Sequence, residues 1–274
     1  MTTLTTYLFV PGNRPERFGK AAASGADRVI LDLEDAVAPA DKAMAREAVA
    51  HWLAALDDSA RAKVVVRIND ALSPWHAEDL QWLRAIAVGE VMLSKCESAE
   101  QVAAVLWHLD AGAQVLPLIE TVRGVLALHE IATAAQVSRL AFGAIDYMLD
   151  LDVPGPGFAL DAAATAIAMA SRAAELPLPV AGVTAELDAE RVKADTAQAR
   201  ALGFGAKLCI HPNQLSAVRE ALMPEASAIA WASRVLAAWR ASNGSGAVQV
   251  DGKMVDKPVV LRAQRILTSA GLQP

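Results

Sequence analysis

The stretch RVILDLEDAV, residues 28–37, runs Val, Ile and Leu directly into Asp32, Glu34 and Asp35. Charge is costly to desolvate, so a buried strand that ends in three carboxylates needs a reason for placing them there. Strand alternation sends Val29, Leu31 and Leu33 to one side and Ile30, Asp32 and Glu34 to the other. In a closed parallel barrel the first set packs under helices while the acids face the interior. Seven further runs are candidate strands: TYLFVPG (6–12), KVVVRIND (63–70), EVMLSK (90–95), QVLPLIE (114–120), RLAFGAIDY (139–147), PVAGV (179–183) and AKLCIHP (206–212). Between them lie Ala-rich segments of helical period such as DKAMAREAVAHWLAAL (41–56) and ESAEQVAAVLWHL (97–109). Eight strands alternating with helices predict an α/β fold, a (β/α)8 TIM barrel. A doubly wound sheet would carry a Gly-rich fingerprint after its first strand, and VPGNRPERF (10–18) is not GxGxxG.

The barrel is expected over residues 1–222, with residues 223–274 as additional C-terminal helices, a lid or extension packing on a neighbouring subunit. Within it, ASNGSGAVQVDG (241–252) reads as a mobile loop before a last helix from DKPVVLRAQRIL (256–267). The chain has 274 residues, is 54% hydrophobic and has a formal charge of -6. That balance suits a soluble domain with a large core and makes nucleic acid an improbable partner. Neither a signal peptide nor a membrane span is legible, and a cytoplasmic location is expected. Cys96 and Cys209 stand far apart without CxxC spacing, which argues against a disulfide framework or thiolate zinc site.

Residues at the C-terminal ends of barrel strands face the active-site mouth. Here those ends carry Asp32, Glu34 and Asp35, then Arg67, Asn69 and Asp70, then Lys95, Glu120, Asp146 and His211. Glu120 and Asp146 close adjacent strands, so two hard oxygen ligands can meet Mg2+ with water completing the shell. Helix capping or a salt bridge is the plainer role for each acid taken singly. Arg67 follows three valines and needs an acid nearby: it binds a substrate carboxylate or developing oxyanion, or it pairs with Asp32 or Glu34. Glu34 and Asp35 read as supports that hold metal-bound waters or orient Arg67, and Asp32 as the partner of a buried cation such as Arg67 or Lys95. In PGNRPERF, Asn13 reads as a helix cap and Arg14 as a ligand contact at the helix start. His211 reads as a turn residue before Pro212.

YLFVPGNRPERF, VILDLEDAV, VVVRIND, LPLIET, AFGAIDY, GAKLCIHPNQ and GKMVDKPVVLRAQRIL occur in order from near residue 7 to near residue 268. Together they resemble the citrate lyase beta-subunit-like family of the HpcH/HpaI aldolase superfamily. The resemblance implies a Mg2+-dependent lyase that cleaves a 3-hydroxyacyl thioester, of citramalyl-, malyl- or citryl-CoA type, into a 2-oxo acid and an acyl thioester. It makes Glu120 and Asp146 metal ligands, with Glu120 also beside the substrate, and Arg67 the substrate-binding and catalytic arginine. It also implies that Asp256 reaches a neighbouring subunit's active site as acid or base, in a homotrimer or hexamer; as a residue, Asp256 is equally an N-cap before Pro258. Ile145 stands where many relatives carry an acid. A thioesterase or condensing synthase on the same site, an acyl carrier protein as partner, and a non-catalytic thioester-binding regulator remain alternative readings.

Overall fold

Eight strands, β1 (Thr5–Pro11), β2 (Arg28–Asp32), β3 (Val64–Ile68), β4 (Glu90–Leu93), β5 (Gln114–Ile119), β6 (Ala141–Phe142), β7 (Val180–Ala181) and β8 (Ala206–Cys209), pair in chain order. β8 returns to β1, all pairings are parallel, and the barrel closes. The computed structural model describes residues 5–242 and 247–273. Ile30, Val65, Met92, Leu116 and Leu208 fill the barrel with Tyr7. Val29, Leu31 and Leu33 instead pack outward against Phe18, Val49 and Leu53 of the helices. The strand alternation read from the sequence therefore holds, and it delivers Asp32 to the mouth above the apolar interior.

Side-chain caps start the helices that follow β4, β5 and β7. Ser98 accepts the Gln101 N–H, Thr121 the Gly124 N–H and Asp188 the Arg191 N–H. The cap expected of Asn13 is absent. Arg14 holds the N-cap position of helix Pro15–Ala22, without a side-chain cap bond, while Asn13 donates to Asp41 Oδ2 at 2.9 Å. Asn13 thus ties the loop after β1 to the entrance of helix Lys42–Ala54.

The sixth strand is also shorter than its sequence suggests. β6 ends at Phe142, and residues 144–150 form a helix, Ala144–Asp150. The Gly143 N–H bonds the Ile119 carbonyl at 2.9 Å, after which the chain turns outward. Asp146 consequently lies in the first helical turn and not on the strand end.

Beyond helix Gln214–Leu222 come helix Ala226–Ala241, an antiparallel hairpin of β9 (Val248–Val250) and β10 (Lys253–Val255), and helix Lys257–Ser269. Val235, Val250, Val255, Val260 and Ala263 form a small core of their own. Part of the expected mobile loop, residues 243–246, lies outside the described residues. Residues 248–252 belong to the hairpin, turned by Asp251 and Gly252 at φ 50° and 74°, the left-handed pair that a two-residue turn requires. Among the described residues no helix is long and apolar enough to cross a membrane.

Candidate active site at the barrel mouth

Register builds the first half of the site. Asp32 and Arg67 are direct partners across β2 and β3, and both point to the mouth. Arg67 Nε and Nη2 donate to Asp32 Oδ1 and Oδ2 at 2.7 and 2.6 Å, and Nη1 lies 2.9 Å from Glu34 Oε2. The guanidinium also lies over the Phe9 ring, 4.7 Å from its centroid. Its side chain is only 11% exposed and that of Asp32 1%. Burial opposes the Arg67 charge, but Asp32 and then Glu34 hold the guanidinium firmly protonated. Asp32 further accepts the Glu34 and Ala36 N–H groups, which shapes the turn that presents Glu34. Of the two roles the sequence offered Arg67, pairing with Asp32 and Glu34 is thus realised in the geometry. Asp35 is exposed, and its backbone N–H donates to Glu34 Oε2.

The second half gathers around Lys95, two residues beyond β4. Its backbone N–H donates to Glu120 Oε1 at 2.8 Å, and its Nζ lies 3.1 Å from Glu34 Oε1 and 3.9 Å from Asp146 Oδ1. Glu120, directly after β5, lies against Gly143, where a Cβ would fall 2.6 Å from the Glu120 Cβ. The glycine is needed for that close approach. Burial first, then Asp146 and Glu34, push Glu120 up to about 8. Glu34 is likewise raised, chiefly by burial against the pull of Arg67. Burial disfavours the Lys95 ammonium, yet Glu34 and Glu120 outweigh it and raise its pKa.

Lys95, Glu120 and Asp146 line a cleft of about 310 Å³ with Asp70, Glu97 and Asp150. Asp32, Glu34, Glu120 and Asp146 meet two cations, Arg67 and Lys95, so one negative charge remains to be balanced while Glu120 is protonated and two once it ionises. Among the described residues no three His, Cys, Asp or Glu side chains form a ready metal cage. Glu120, held protonated chiefly by burial and then by the Asp146 and Glu34 charges, forms with Asp146 a pair of oxygen donors that suits a hard divalent cation keeping several waters, which is the behaviour of Mg2+ and not of zinc.

Other predicted residues lie elsewhere. Arg14 is about half exposed and pairs with Glu16 at 2.7 Å. Asp256 caps helix Lys257–Ser269 by accepting the Val259 N–H, and within the chain it is not among the residues of the cleft wall. His211 Nδ1 accepts the Asn213 N–H at the turn. Ile145 is half exposed.

Sequence reasoning missed the scaffold beneath Glu34. Lys42 is buried, and its Nζ donates to the Leu33 and Glu34 carbonyls and to Asn69 Oδ1 at 2.7, 2.9 and 2.7 Å. Asn69 in turn donates to Asp79, which Arg46 neutralises at 3.1 Å. This buried chain fixes the backbone that carries Glu34. Its signals were Asn69 at a strand end and a lysine closely following three acids, neither sufficient without the register.

The HpcH/HpaI aldolase/citrate lyase family profile matches residues 5–212. A citrate lyase subunit beta-like protein of Mycobacterium tuberculosis is 40% identical over 273 residues, covering 97% of this chain and 95% of that protein. A (3S)-malyl-CoA thioesterase of Cereibacter sphaeroides is 30% identical over 272 residues, covering 97% and 94%. The crystal structure of CitE from M. tuberculosis with magnesium, acetoacetate and coenzyme A superposes with a TM-score of 0.86 at 38% identity, covering 97% of this chain and 98% of that one.

Proposed function

The chain belongs to the HpcH/HpaI aldolase/citrate lyase family, and on that basis we propose that it is a Mg2+-dependent lyase acting on a 3-hydroxyacyl thioester. The observation that carries this reading is the meeting of Glu120 and Asp146 in one cleft beside Lys95, with Arg67 held behind Glu34. Cleavage breaks the carbon-carbon bond next to the hydroxyl. The hydroxyl proton leaves, its carbon becomes the carbonyl of a 2-oxo acid, and the departing acyl thioester carbon takes up a proton. Glu120 and Asp146 would hold a divalent cation, which would supply the electron-withdrawing charge this step needs.

The chain's own residues supply the frame. Arg67 is fixed on both edges by Asp32 and Glu34, so its charge is preorganised and need not be reoriented as negative charge develops. Arg14, on the loop after β1, is a candidate contact for an anionic part of the thioester. The proton at the departing carbon falls to Asp256 of a neighbouring copy, which makes a homotrimer or hexamer part of the proposal. Similarity to malyl-CoA thioesterases favours hydrolysis as the second reading, in which water is activated at the same site.

Turnover of a panel of citramalyl-, malyl- and citryl-type CoA thioesters, with Mg2+ or with EDTA, tests the proposal by following both 2-oxo acid and free CoA. EDTA-sensitive release of oxo acid with acyl-CoA supports the lyase. Free CoA without oxo acid establishes the thioesterase instead, and metal-dependent binding without turnover points to a regulator.

A further inference from the structure

Among the described residues of the cleft wall, Lys95 is the one cation, facing Asp70, Glu97, Glu120, Asp146 and Asp150. Arg67 is not among the residues of that wall; three of its five N–H groups, one each on Nε, Nη1 and Nη2, are directed to Asp32 and Glu34, and one face is covered by Phe9. An anionic substrate entering this cleft meets carboxylates on several sides, and the exposed counter-charge is the Lys95 ammonium, whose side chain is 33% accessible.

An ammonium has three N–H donors, and Glu34 takes one at 3.1 Å. Asp146 at 3.9 Å is close enough to attract the charge but too far for a hydrogen bond. Lys95 is also in the left-handed region, at φ 45°, a conformation that costs a non-glycine residue free energy and collects at functional sites. Its strained backbone directs one N–H to Glu120 while its side chain bridges toward Glu34 and Asp146. A single residue thereby touches one carboxylate assigned to the metal through its main chain and faces the other through its side chain.

We infer that Lys95 is a substrate-binding residue: its ammonium, released from the attraction of Asp146 when that carboxylate takes a divalent cation, receives a carboxylate of the 2-oxo acid half of the substrate. The inference rests on the Mg2+-dependent reading above and adds a residue to it. It also links metal loading to substrate binding, since the same event that neutralises Asp146 frees the lysine for the incoming anion.

Isothermal titration of the full chain, its Lys95→Met and its Lys95→Arg variants tests this, first with Mg2+ alone and then with pyruvate at saturating Mg2+. The Met variant is expected to bind Mg2+ as tightly as wild type or more so, because a neighbouring positive charge is gone. It is expected to bind pyruvate about tenfold more weakly or worse, with most of the affinity restored in the Arg variant. Pyruvate affinity unchanged in the Met variant overturns the inference and leaves the metal reading intact. So does a loss of Mg2+ affinity in proportion to the loss of pyruvate, which would make Lys95 a builder of the metal site and not a substrate contact. A wild-type chain that binds no Mg2+ overturns the functional reading and the inference together. If the Met variant does not fold, Lys95→Gln removes the same charge and decides between the same outcomes.

Discussion

Gly143→Ala tests how closely the site is packed around its buried carboxylate. The added Cβ would lie 2.6 Å from the Glu120 Cβ and 3.2 Å from its Cδ. Carbon atoms at rest are separated by about 3.5–4.0 Å, so the overlap with the Glu120 Cβ is about 1 Å. The Glu120 carboxylate oxygen Oε2 lies nearer still and can swing aside, but the overlap with the Glu120 Cβ cannot be relieved that way, because that atom is rooted in the backbone directly after β5. Retreat of Gly143 is opposed by its N–H bond to the Ile119 carbonyl at 2.9 Å. Overpacking of this kind costs about 1–3 kcal/mol, and a displacement of about 1 Å at a working group costs on the order of 100-fold in rate. Thermal unfolding should therefore shift down by about 2–10 °C for a chain of this size. Mg2+ affinity, read by isothermal titration, should fall by about tenfold or more as Glu120 is pushed off its position. Gly19→Ala is the control. It lies in helix Pro15–Ala22 with nothing within 4 Å of an added Cβ, and it should raise stability by about 0.5–1 kcal/mol without touching the metal. Wild-type Mg2+ affinity and turnover in Gly143→Ala would refute the claim that this glycine seats Glu120.

The raised pKa of Glu120, about 8 against an ordinary 4.5, gives a second test with a definite sign. A carboxyl whose folded-state value is raised contributes stability that is fully present below the unfolded value and is lost as pH rises through the folded value, so the metal-free protein should weaken across that window. Mg2+ must displace this proton at neutral pH; its affinity should climb as pH rises toward about 8 and then level off, and a flat profile would sink the assignment. Asp32→Asn leaves the buried Arg67 with Glu34 as its one ion-pair partner among the described residues and should cost about 3 kcal/mol in chemical denaturation, with turnover falling as the guanidinium loses its bidentate clamp. Asp256→Ala should lose about 1 kcal/mol of stability with the helix cap, whereas Asp256→Ser keeps a capping oxygen. If Asp256 acts on protons at a neighbouring site, the Ser variant regains stability but not turnover; recovery of both would leave the residue a cap alone.

The barrel was legible because its causes are local. Val29, Leu31 and Leu33 alternate with Ile30, Asp32 and Glu34 over a few residues, and eight such runs separated by helical periods admit one closed architecture. The same locality explains the errors. The FGAIDY run reads as a strand because its apolar residues are contiguous, yet the chain leaves the sheet at Gly143 and carries Asp146 on a helical turn. VQVDGKMV was too short to distinguish from a loop, although Asp251 and Gly252 specify its hairpin turn.

By itself the sequence determined which residue types stand at the ends of the strands, and therefore that Asp32, Glu34, Arg67, Lys95 and Glu120 gather at one mouth, which Asp146 joins from a helical turn. Their partners were decided by tertiary structure, because partnership depends on strand register and on burial, which connect residues far apart in the chain. Parallel register set Arg67 opposite Asp32 and so fixed its guanidinium in a buried pair. The left-handed bend at Lys95 brought its N–H to Glu120 and left its ammonium on the cleft wall. Desolvation then raised Glu120, a consequence of the low-dielectric surroundings that no list of residue types contains.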